Sequence, residues 1–143
     1  MFMGTYYNSI DAKNRMIVPS EFREELGYEC VITRSIDRCL TIYSMEEWNQ
    51  HMEKISRLPE SDESVRMFIR YTYANARKRE FDKQGRIIIP PELIRYAGIE
   101  KELVTMGVMK RIEIWSREIW ETPENAGTMD GEDFAAALKK YNF

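Results

Sequence analysis

The chain contains one short sequence unit twice, and this repeat limits the possible folds more than any other feature. One copy reads IDAKNRMIVPSEF at 10–22, and the other reads FDKQGRIIIPPEL at 81–93, at an offset of 71. After one inserted residue the match resumes at an offset of 72 and continues to Trp48, which aligns with Trp120. A unit this small buries too little surface to be stable alone. The two copies are therefore expected to pair into one pseudo-symmetric body.

Each copy is predicted to consist mainly of short strands. β-Branched or bulky runs that end at a proline indicate the first strand of each copy, and alternating side-chain character indicates the others. The predicted strands cover 15–18, 30–33 and 40–43 in the first copy and 86–89, 103–106 and 112–115 in the second. The expected fold class is therefore mainly β with peripheral helices, an α+β arrangement.

Five helices are predicted around these strands, because residues that favour helix N-termini precede them or a glycine follows them. They cover 20–26 and 91–96 within the copies, a segment from the Ser44 capping box to 58, a segment capped by Ser61 or Asp62, and a segment capped by Asp130. Phe134, Leu138 and Tyr141 share one face of the last helix. That face is expected to dock on the body or on a neighbouring subunit, and not to bind a ligand.

Charge is spread unevenly over the chain. The net charge is −3, but the stretch 118–138 holds six acidic residues and no basic ones, whereas 77–86 holds five basic and two acidic residues. A local basic patch can bind DNA, since the potential of the docking face matters more than the total charge. The alternative is a solvated, charged surface turn. The expected division is a first repeat over 1–52, a helical connection over 53–76, a second repeat over 77–121 and an acidic C-terminal tail with a short helix over 122–143.

An Asp-x-x-x-Arg element occurs once in each copy, at the turn that leads into the first predicted strand. It includes Asp11, Asn14 and Arg15 in the first copy and Asp82, Gly85 and Arg86 in the second. Asparagine and glycine tolerate the positive φ of a tight turn, and an aspartate can hold such a turn through backbone N–H groups. The arginine is then held in a fixed position, suited to a phosphate or to a guanine edge. The alternative is a salt bridge that only staples the turn.

The opening MFMGTYYNSIDAKNRMIVPSEFREEL, the second segment FDKQGRIIIPPELIRYAGI and their spacing closely resemble the MraZ family. These proteins are tandem relatives of the AbrB and SpoVT swapped-hairpin DNA-binding domains. The resemblance covers residues 1–120, and its specificity lies in the duplicated Asp-x-x-x-Arg within a chain of this size. It implies a β-barrel-like body of two swapped-hairpin units and assembly into ring-shaped homo-oligomers. It also implies repression through short direct repeats of double-stranded DNA in the promoter of the division and cell-wall gene cluster.

The family motif maps onto Asp11, Lys13 and Arg15 and onto Asp82, Gly85 and Arg86. The resemblance implies base or phosphate contacts by Arg15 and Arg86, phosphate contacts by Lys13 and Lys83, and a secondary phosphate patch of Arg77, Lys78 and Arg79. Asn14 stands where the family usually has glycine and should preserve the turn. Gln84 stands where lysine is usual, which leaves open whether the two loops contribute equally.

Enzyme motifs do not accompany these features. The one histidine, His51, lies in a charged helical segment without a second ligand nearby, and no H-E-x-x-H, nucleophile elbow, Walker loop or Cys-x-x-Cys pair occurs. Cys30 and Cys39 are expected to pack in or near strands, although their spacing permits a disulfide. The expected protein is therefore not an enzyme and uses no cofactor, metal or small-molecule substrate.

A cytoplasmic, nucleoid-associated location is expected, because no apolar run is long enough to span a bilayer and the N-terminus lacks a secretory signal. The rival interpretation is a protein-interaction module of the antidote type, since some antidotes of toxin–antitoxin pairs share the swapped-hairpin fold. Such antidotes usually carry one hairpin unit and a disordered toxin-binding tail. Two copies joined by helices disfavour that interpretation.

Overall fold

The computed structural model describes residues 1–124 and 129–142 of the chain. Its strands are β1 (Thr5–Ser9), β2 (Arg15–Ile17), β3 (Glu29–Arg34), β4 (Leu40–Ser44), β5 (Arg77–Glu80), β6 (Arg86–Ile88), β7 (Glu102–Val108) and β8 (Arg111–Ser116). Its helices are α1 (Ser20–Leu26), α2 (Met45–Ser56), α3 (Glu63–Tyr73), α4 (Pro91–Ala97), α5 (Arg117–Trp120) and α6 (Gly131–Leu138), which a 3-10 helix at Lys139–Tyr141 follows. The expected α+β class is confirmed.

The two repeats exchange strands. Six strands form one antiparallel sheet in the order β1-β7-β8-β4-β3-β5, and β2 pairs with β6 in a separate two-stranded ribbon. The first strand of the first repeat, β1, pairs with β7 of the second repeat. Its counterpart β5 pairs with β3 of the first repeat. Each repeat therefore completes the sheet of the other.

A pseudo-twofold axis relates the two repeats. In the ribbon, Met16 lies opposite Ile87, its equivalent in the second repeat. In the sheet, β4 pairs with β8 so that Thr41 lies opposite Glu113, which is also its equivalent. Self-matched pairs of this kind occur only where a twofold axis passes between two strands, so the axis passes through both the ribbon and the centre of the sheet.

The main core lies between one face of the sheet and the ribbon. It joins ribbon residues such as Met16 and Ile87 to sheet residues such as Ile42 and Ile114, all of them buried. Helices α1 and α4 close the ends of this core with Phe22, Leu26, Leu93 and Ala97. Because side chains alternate along a strand, Val104 and Trp115 lie on the opposite face, where α5 packs against them.

The helix N-caps follow the predicted chemistry. Ser44 Oγ accepts a hydrogen bond from Glu47 N at 3.1 Å and begins α2. Asp62, and not Ser61, caps α3. Asp130 caps α6 in a complete capping box. Each cap satisfies a backbone N–H group that the first helical turn leaves unpaired.

Several expectations differ from the structure. The sequence pattern misses β1 and β5. The basic stretch 77–80 is an edge strand, and not a surface turn, because its main chain pairs with β3 and this pairing does not depend on the side chains. The strands of the described residues form an open sheet and a ribbon, so the barrel-like closure is not confirmed. The apolar face predicted for the last helix does not dock on the body: Phe134 of α6 is 49 % exposed, and Tyr141 of the following 3-10 helix is 68 % exposed.

The disulfide alternative is wrong. Cys30 and Cys39 are both free thiols, buried in the structure. Cys30 belongs to the main core, whereas Cys39 packs with Val104 and Trp115 on the other face of the sheet. Burial raises the pKa of each thiol to about 12, so both stay protonated near neutral pH.

Candidate nucleic-acid interface

The first Asp-x-x-x-Arg element, called the first loop (11–15), is a turn closed by one carboxylate. Asp11 Oδ1 accepts hydrogen bonds from the backbone N–H groups of Lys13 and Arg15, both at 2.9 Å. Asp11 Oδ2 accepts a third hydrogen bond from Arg15 Nε at 2.7 Å. The Asp11 side chain therefore fixes both the shape of the turn and the direction of the arginine.

The second loop (82–86) repeats this geometry bond for bond. Asp82 Oδ1 accepts from Gln84 N at 2.9 Å and from Arg86 N at 2.8 Å. Asp82 Oδ2 accepts from Arg86 Nε at 2.7 Å. The lysine-to-glutamine departure at position 84 leaves the turn intact, because this position contributes its backbone and not its side chain.

Both turns need a residue that tolerates a left-handed backbone. Asn14 has φ +61° and Gly85 has φ +76°. Asparagine is one of the few residues other than glycine that adopts this region at low cost. The replacement of glycine by Asn14 therefore preserves the turn of the first loop.

The Asp–Arg salt bridge is present in both loops, but it occupies only part of each arginine. Nε of Arg15 and Nε of Arg86 bond the aspartates, whereas their terminal nitrogens make no hydrogen bond within the described residues. The two side chains are 26 % and 25 % exposed. Each guanidinium is thus held at its Nε edge, and the N–H groups of its terminal nitrogens can donate to an anion or another acceptor.

The aspartates of both loops stay ionised to unusually low pH. The backbone N–H of Arg15, its guanidinium and the backbone N–H of Lys13 lower the pKa of Asp11 below its ordinary 3.8. The equivalent groups of Arg86 and Gln84 lower the pKa of Asp82. Hydrogen bonds to the charged form favour that form, so the turn is held by a full negative charge at neutral pH.

The ribbon presents both arginines on one outward face. Met16 and Ile87 point into the core, and their neighbours along each strand point away from it. Arg15 lies opposite Ile88, and Arg86 lies opposite Ile17. The side chains of Ile17 and Ile88 are 54 % and 52 % exposed. The outward face therefore combines two arginines with two aliphatic side chains.

The ribbon also sets the spacing of the loops. Because β2 and β6 are antiparallel, the first loop and the second loop lie at opposite ends of the pair. Val18 N donates to Gly85 O at 3.1 Å, and Ile89 N donates to Asn14 O at 2.8 Å. Each loop is therefore bonded to the strand end of the other repeat, and the two arginines keep a fixed separation.

Comparison with known proteins shows the family. The family model described as "MraZ protein, putative antitoxin-like" matches this chain twice, over residues 1–71 and 72–139. The chain belongs to the MraZ family. The resemblance drawn from the duplicated motif is thereby confirmed, and the two matched segments each contain one Asp-x-x-x-Arg loop.

Curated relatives agree along nearly the whole chain. "Transcriptional regulator MraZ" of Clostridium tetani is 46 % identical over 140 residues, 98 % of each chain. Proteins of the same name from Acetivibrio thermocellus and Caldanaerobacter subterraneus subsp. tengcongensis are 45 % and 44 % identical, over 96 % and 99 % of each chain. The chain is therefore a member of a transcription-regulator family.

The remaining basic residues predicted to contact DNA differ in how freely they reach solvent. Lys13 and Lys83 are exposed and make no ion pair within the described residues. Arg77 donates to Ala74 O and Ala76 O and forms an ion pair with Glu92 at 3.4 Å. Arg79 Nε donates to Ile88 O at 2.8 Å, while Lys78 is exposed on the edge strand β5. The proposed secondary patch is thus partly engaged by the protein itself.

Three residues of this surface escape the sequence pattern. Ile17 and Ile88 look like core residues, because they lie in aliphatic runs, and only the strand register shows that they face outward. Arg23 of α1 lies against Gly85 of the second loop. The repeat alignment is the one sequence signal for Arg23: the first copy has a charged residue at a position where the second copy has the apolar Ile94.

The structure also reports on other kinds of site. His51 stacks on Tyr43 with ring centroids 5.2 Å apart, and burial lowers its pKa below 6.5. Within residues 1–124 and 129–142, no group of three or more histidine, cysteine or carboxylate side chains could hold a metal ion. No helix in that part of the chain has the length and apolar character needed to cross a bilayer.

Proposed function

We propose that this chain is a sequence-specific DNA-binding transcriptional repressor whose recognition surface is the outward face of the ribbon. The observation that carries the proposal is the placement of Arg15 and Arg86 on that one face, each held by an aspartate and each with free terminal nitrogens. The relatives named as transcriptional regulators support a function in gene control. A two-stranded β-ribbon fits the major groove of B-DNA.

Each arginine is suited to a bidentate contact. With Nε fixed by the carboxylate, the terminal nitrogens of Arg15 and Arg86 point to a partner from a pre-set position and lose little entropy on binding. Guanine N7 and O6, or two phosphate oxygens, match this fork. Ile17 and Ile88 lie between the arginines and supply apolar contact, for which the thymine methyl group is the partner in the major groove.

The lysines and the secondary patch act on the phosphate backbone. Lys13 and Lys83 extend from the loops into solvent, and Lys78 does so from β5. Arg77 and Arg79 contribute positive potential while remaining bonded to the protein. Such contacts are independent of base sequence and release counterions, so binding should weaken steeply as salt rises.

The proposed target is a set of short direct repeats in the promoter of the division and cell-wall gene cluster. Two loops give few phosphate contacts, and a single chain would bind weakly. A ring-shaped homo-oligomer would present many ribbons at a regular spacing, and linked sites raise the effective concentration of each further contact. Repeated sites at matched spacing are therefore expected to bind far more tightly than one isolated site.

The chain is proposed to act by binding alone, in the cytoplasm at the nucleoid, without cofactor, metal or small-molecule substrate. The four-part division into a first repeat, a helical connection, a second repeat and an acidic tail is proposed as its functional layout. In this layout the acidic tail is separated in sequence from the ribbon, whose loops carry basic residues.

Fluorescence anisotropy tests the proposal directly. A labelled duplex from upstream of the chain's own gene is titrated with protein at two salt concentrations, with a scrambled duplex as competitor. Tight, salt-sensitive binding that the scrambled duplex does not displace supports a sequence-specific regulator. Absence of binding by correctly assembled protein, or equal displacement by both duplexes, contradicts it.

A second candidate function is a protein-interaction module of the antidote type without promoter-specific DNA binding. The antitoxin-like description of the matching family model favours it. Phe134 of α6 and Tyr141 of the 3-10 helix that follows are exposed and offer a contact surface. Size measurement of the chain alone and mixed with the product of the neighbouring gene separates the two. A stable heteromeric complex that excludes the promoter duplex would support the antidote function.

A further inference from the structure

We propose that Arg23 is a DNA-phosphate contact of the second loop, supplied to that loop by a helix of the first repeat. The starting observation is a close approach between α1 and the turn. A Cβ atom built on Gly85 would lie 2.1 Å from Arg23 Nη1 and 2.4 Å from Arg23 Cζ. The guanidinium therefore rests directly on the Gly85 backbone, beside Arg86, and this proximity explains why Gly85 is buried while Asn14 is not.

The strand exchange places Arg23 there. Val18 N donates to Gly85 O, and α1 begins two residues later at Ser20. The first turn of α1 thus starts from the second loop, and Arg23 lies one turn along it. The equivalent bond, from Ile89 N to Asn14 O, brings α4 to the first loop, where the position equivalent to Arg23 is Ile94.

Arg23 has no partner that explains its position. The Nε atom of Arg23 is buried without a hydrogen bond. No nitrogen of the Arg23 side chain forms an ion pair within the described residues. The side chain as a whole is only partly buried, and the terminal nitrogens are not among the buried unpaired atoms, so they reach the surface. The buried Nε carries the cost of an unpaired donor, and it holds terminal nitrogens that can donate to an anion at the surface. A phosphate beside the second loop is an anion that these terminal nitrogens could bind.

The position of Arg23 affects whether the two loops contribute equally to DNA binding. The second loop has Gln84 where the first has Lys13, with its lysine one position earlier at Lys83. Arg23 brings a further positive charge to this turn. At the other end of the ribbon, Arg79 bonds Ile88 O, next to the first loop, whereas its equivalent Asn8 bonds Ile17 O. Each loop therefore has one arginine of the other repeat near it, and neither arginine has a cationic equivalent in the sequence repeat.

The role rests on the DNA binding proposed above and is tested with the full chain. The slope of log affinity against log salt concentration counts neutralised phosphates. Arg23→Gln is expected to weaken binding about tenfold and to reduce the slope by about one for each second loop engaged. The loss should be the same for promoter and scrambled duplexes, since phosphates carry no sequence. Arg23→Lys, which keeps the charge, should restore the slope.

Arg95→Gln is the matched control. It removes the same charge from α4, one residue beyond the position equivalent to Arg23 and about 100° further round the helix, and it should leave the slope unchanged. Thermal unfolding of each variant confirms that it is folded.

The possible outcomes separate the two proposals. If wild-type protein binds with steep salt dependence and Arg23→Gln keeps its slope and affinity, the role of Arg23 is overturned while the proposed function stands. If Arg23→Gln binds weakly with an unchanged slope, and Arg23→Lys does not recover, Arg23 only braces the loop and the proposal is again overturned. If wild-type protein binds no DNA, both proposals fail together.

Discussion

Met16 lies directly opposite Ile87 in the ribbon, and the two residues occupy equivalent positions in the two repeats. Their side chains are 0 % and 1 % exposed, and both belong to the main core. One core residue of each repeat thus meets its counterpart on the pseudo-twofold axis. The core is shared, so the two repeats should unfold as one unit.

Truncation of Met16 tests this shared core. Met16→Ala removes buried methylene groups at the centre of the ribbon and should lower the free energy of unfolding by about 2–5 kcal/mol. Urea unfolding followed by tryptophan fluorescence reports on Trp48 in one repeat and on Trp115 in the other, and should give one transition. Two separate transitions would contradict a shared core. The neighbouring exposed Ile17→Ala should change stability by no more than about 0.5 kcal/mol.

Arginine at position 86 is expected to be irreplaceable by lysine. Lysine carries its donors on a single nitrogen, so it cannot hold Asp82 at one edge and present a separate planar fork to DNA, whereas Arg86 bonds Asp82 through Nε and keeps its terminal nitrogens. Arg86→Lys should therefore lose nearly as much promoter affinity as Arg86→Ala, about tenfold or more for a bidentate contact. Anisotropy titrations measure both variants, and Arg57→Lys at the C-terminal end of α2 is the matched control. Wild-type affinity in Arg86→Lys would show that only charge matters there.

The exposed isoleucines are expected to read thymine methyl groups. Replacement of the promoter thymines by uracil removes only those methyl groups and should weaken binding by wild-type protein. The Ile17→Ala, Ile88→Ala double variant should bind weakly and show little further loss with the uracil duplex, because it has no aliphatic groups left to contact them. Equal sensitivity of wild type and double variant to uracil would refute the role of the two isoleucines.

The loop aspartates give a pH dependence with a defined sign. The folded-state pKa of Asp11 and of Asp82 lies below the ordinary 3.8. Their contribution to stability is therefore present above pH 3.8 and disappears as the pH falls through the lowered folded values. Carboxyl NMR titration should place both midpoints below 3.8. In Arg86→Met the midpoint of Asp82 should rise part of the way, since the backbone N–H bonds remain, while Asp11 serves as the unchanged internal control.

Gly85 and Asn14 should respond differently to substitution, although they are equivalent in the repeat. Gly85→Ala places a Cβ at φ +76° and into the Arg23 guanidinium, and should cost about 1–3 kcal/mol of stability. Asn14→Gly meets no such obstacle and should stay within about 0.5 kcal/mol of wild type. Thermal unfolding of the two variants gives the comparison. A Gly85→Ala protein as stable as wild type would mean that Arg23 moves away at no cost.

The sequence predicted the inner strands and the helices better than the edges. Patterns ended by proline, and caps such as Ser44 and Asp130, are local signals that the structure retains. The sequences of β1 and β5 do not alternate between apolar and polar residue types. An edge strand is held by main-chain hydrogen bonds to its neighbour, so tyrosine, asparagine or arginine side chains are tolerated in it. Such pairing is decided by tertiary structure and not by local preference.

The loop turns were also predictable, whereas their surroundings were not. An aspartate, a residue that tolerates positive φ, and an arginine at fixed spacing specify the turn by themselves. The outward direction of Ile17 and Ile88 depends on which strand face meets the core, and a one-residue shift of register would reverse it. The contact of Arg23 with Gly85 depends on the strand exchange, which no local pattern encodes.

The exchange of β1 and β5 has a consequence for the newly made chain. Asn8 of β1 leaves the ribosome early, but Thr105, to which it hydrogen-bonds in the finished sheet, lies 97 positions later in the sequence. Until the second repeat has been translated, β1 lacks its native partner β7, and β2 with its aliphatic side chains lacks its native partner β6. A message truncated after the first repeat would therefore yield a chain with exposed strand edges, prone to aggregation or proteolysis. The second repeat is therefore expected to be required before the first can reach its folded structure.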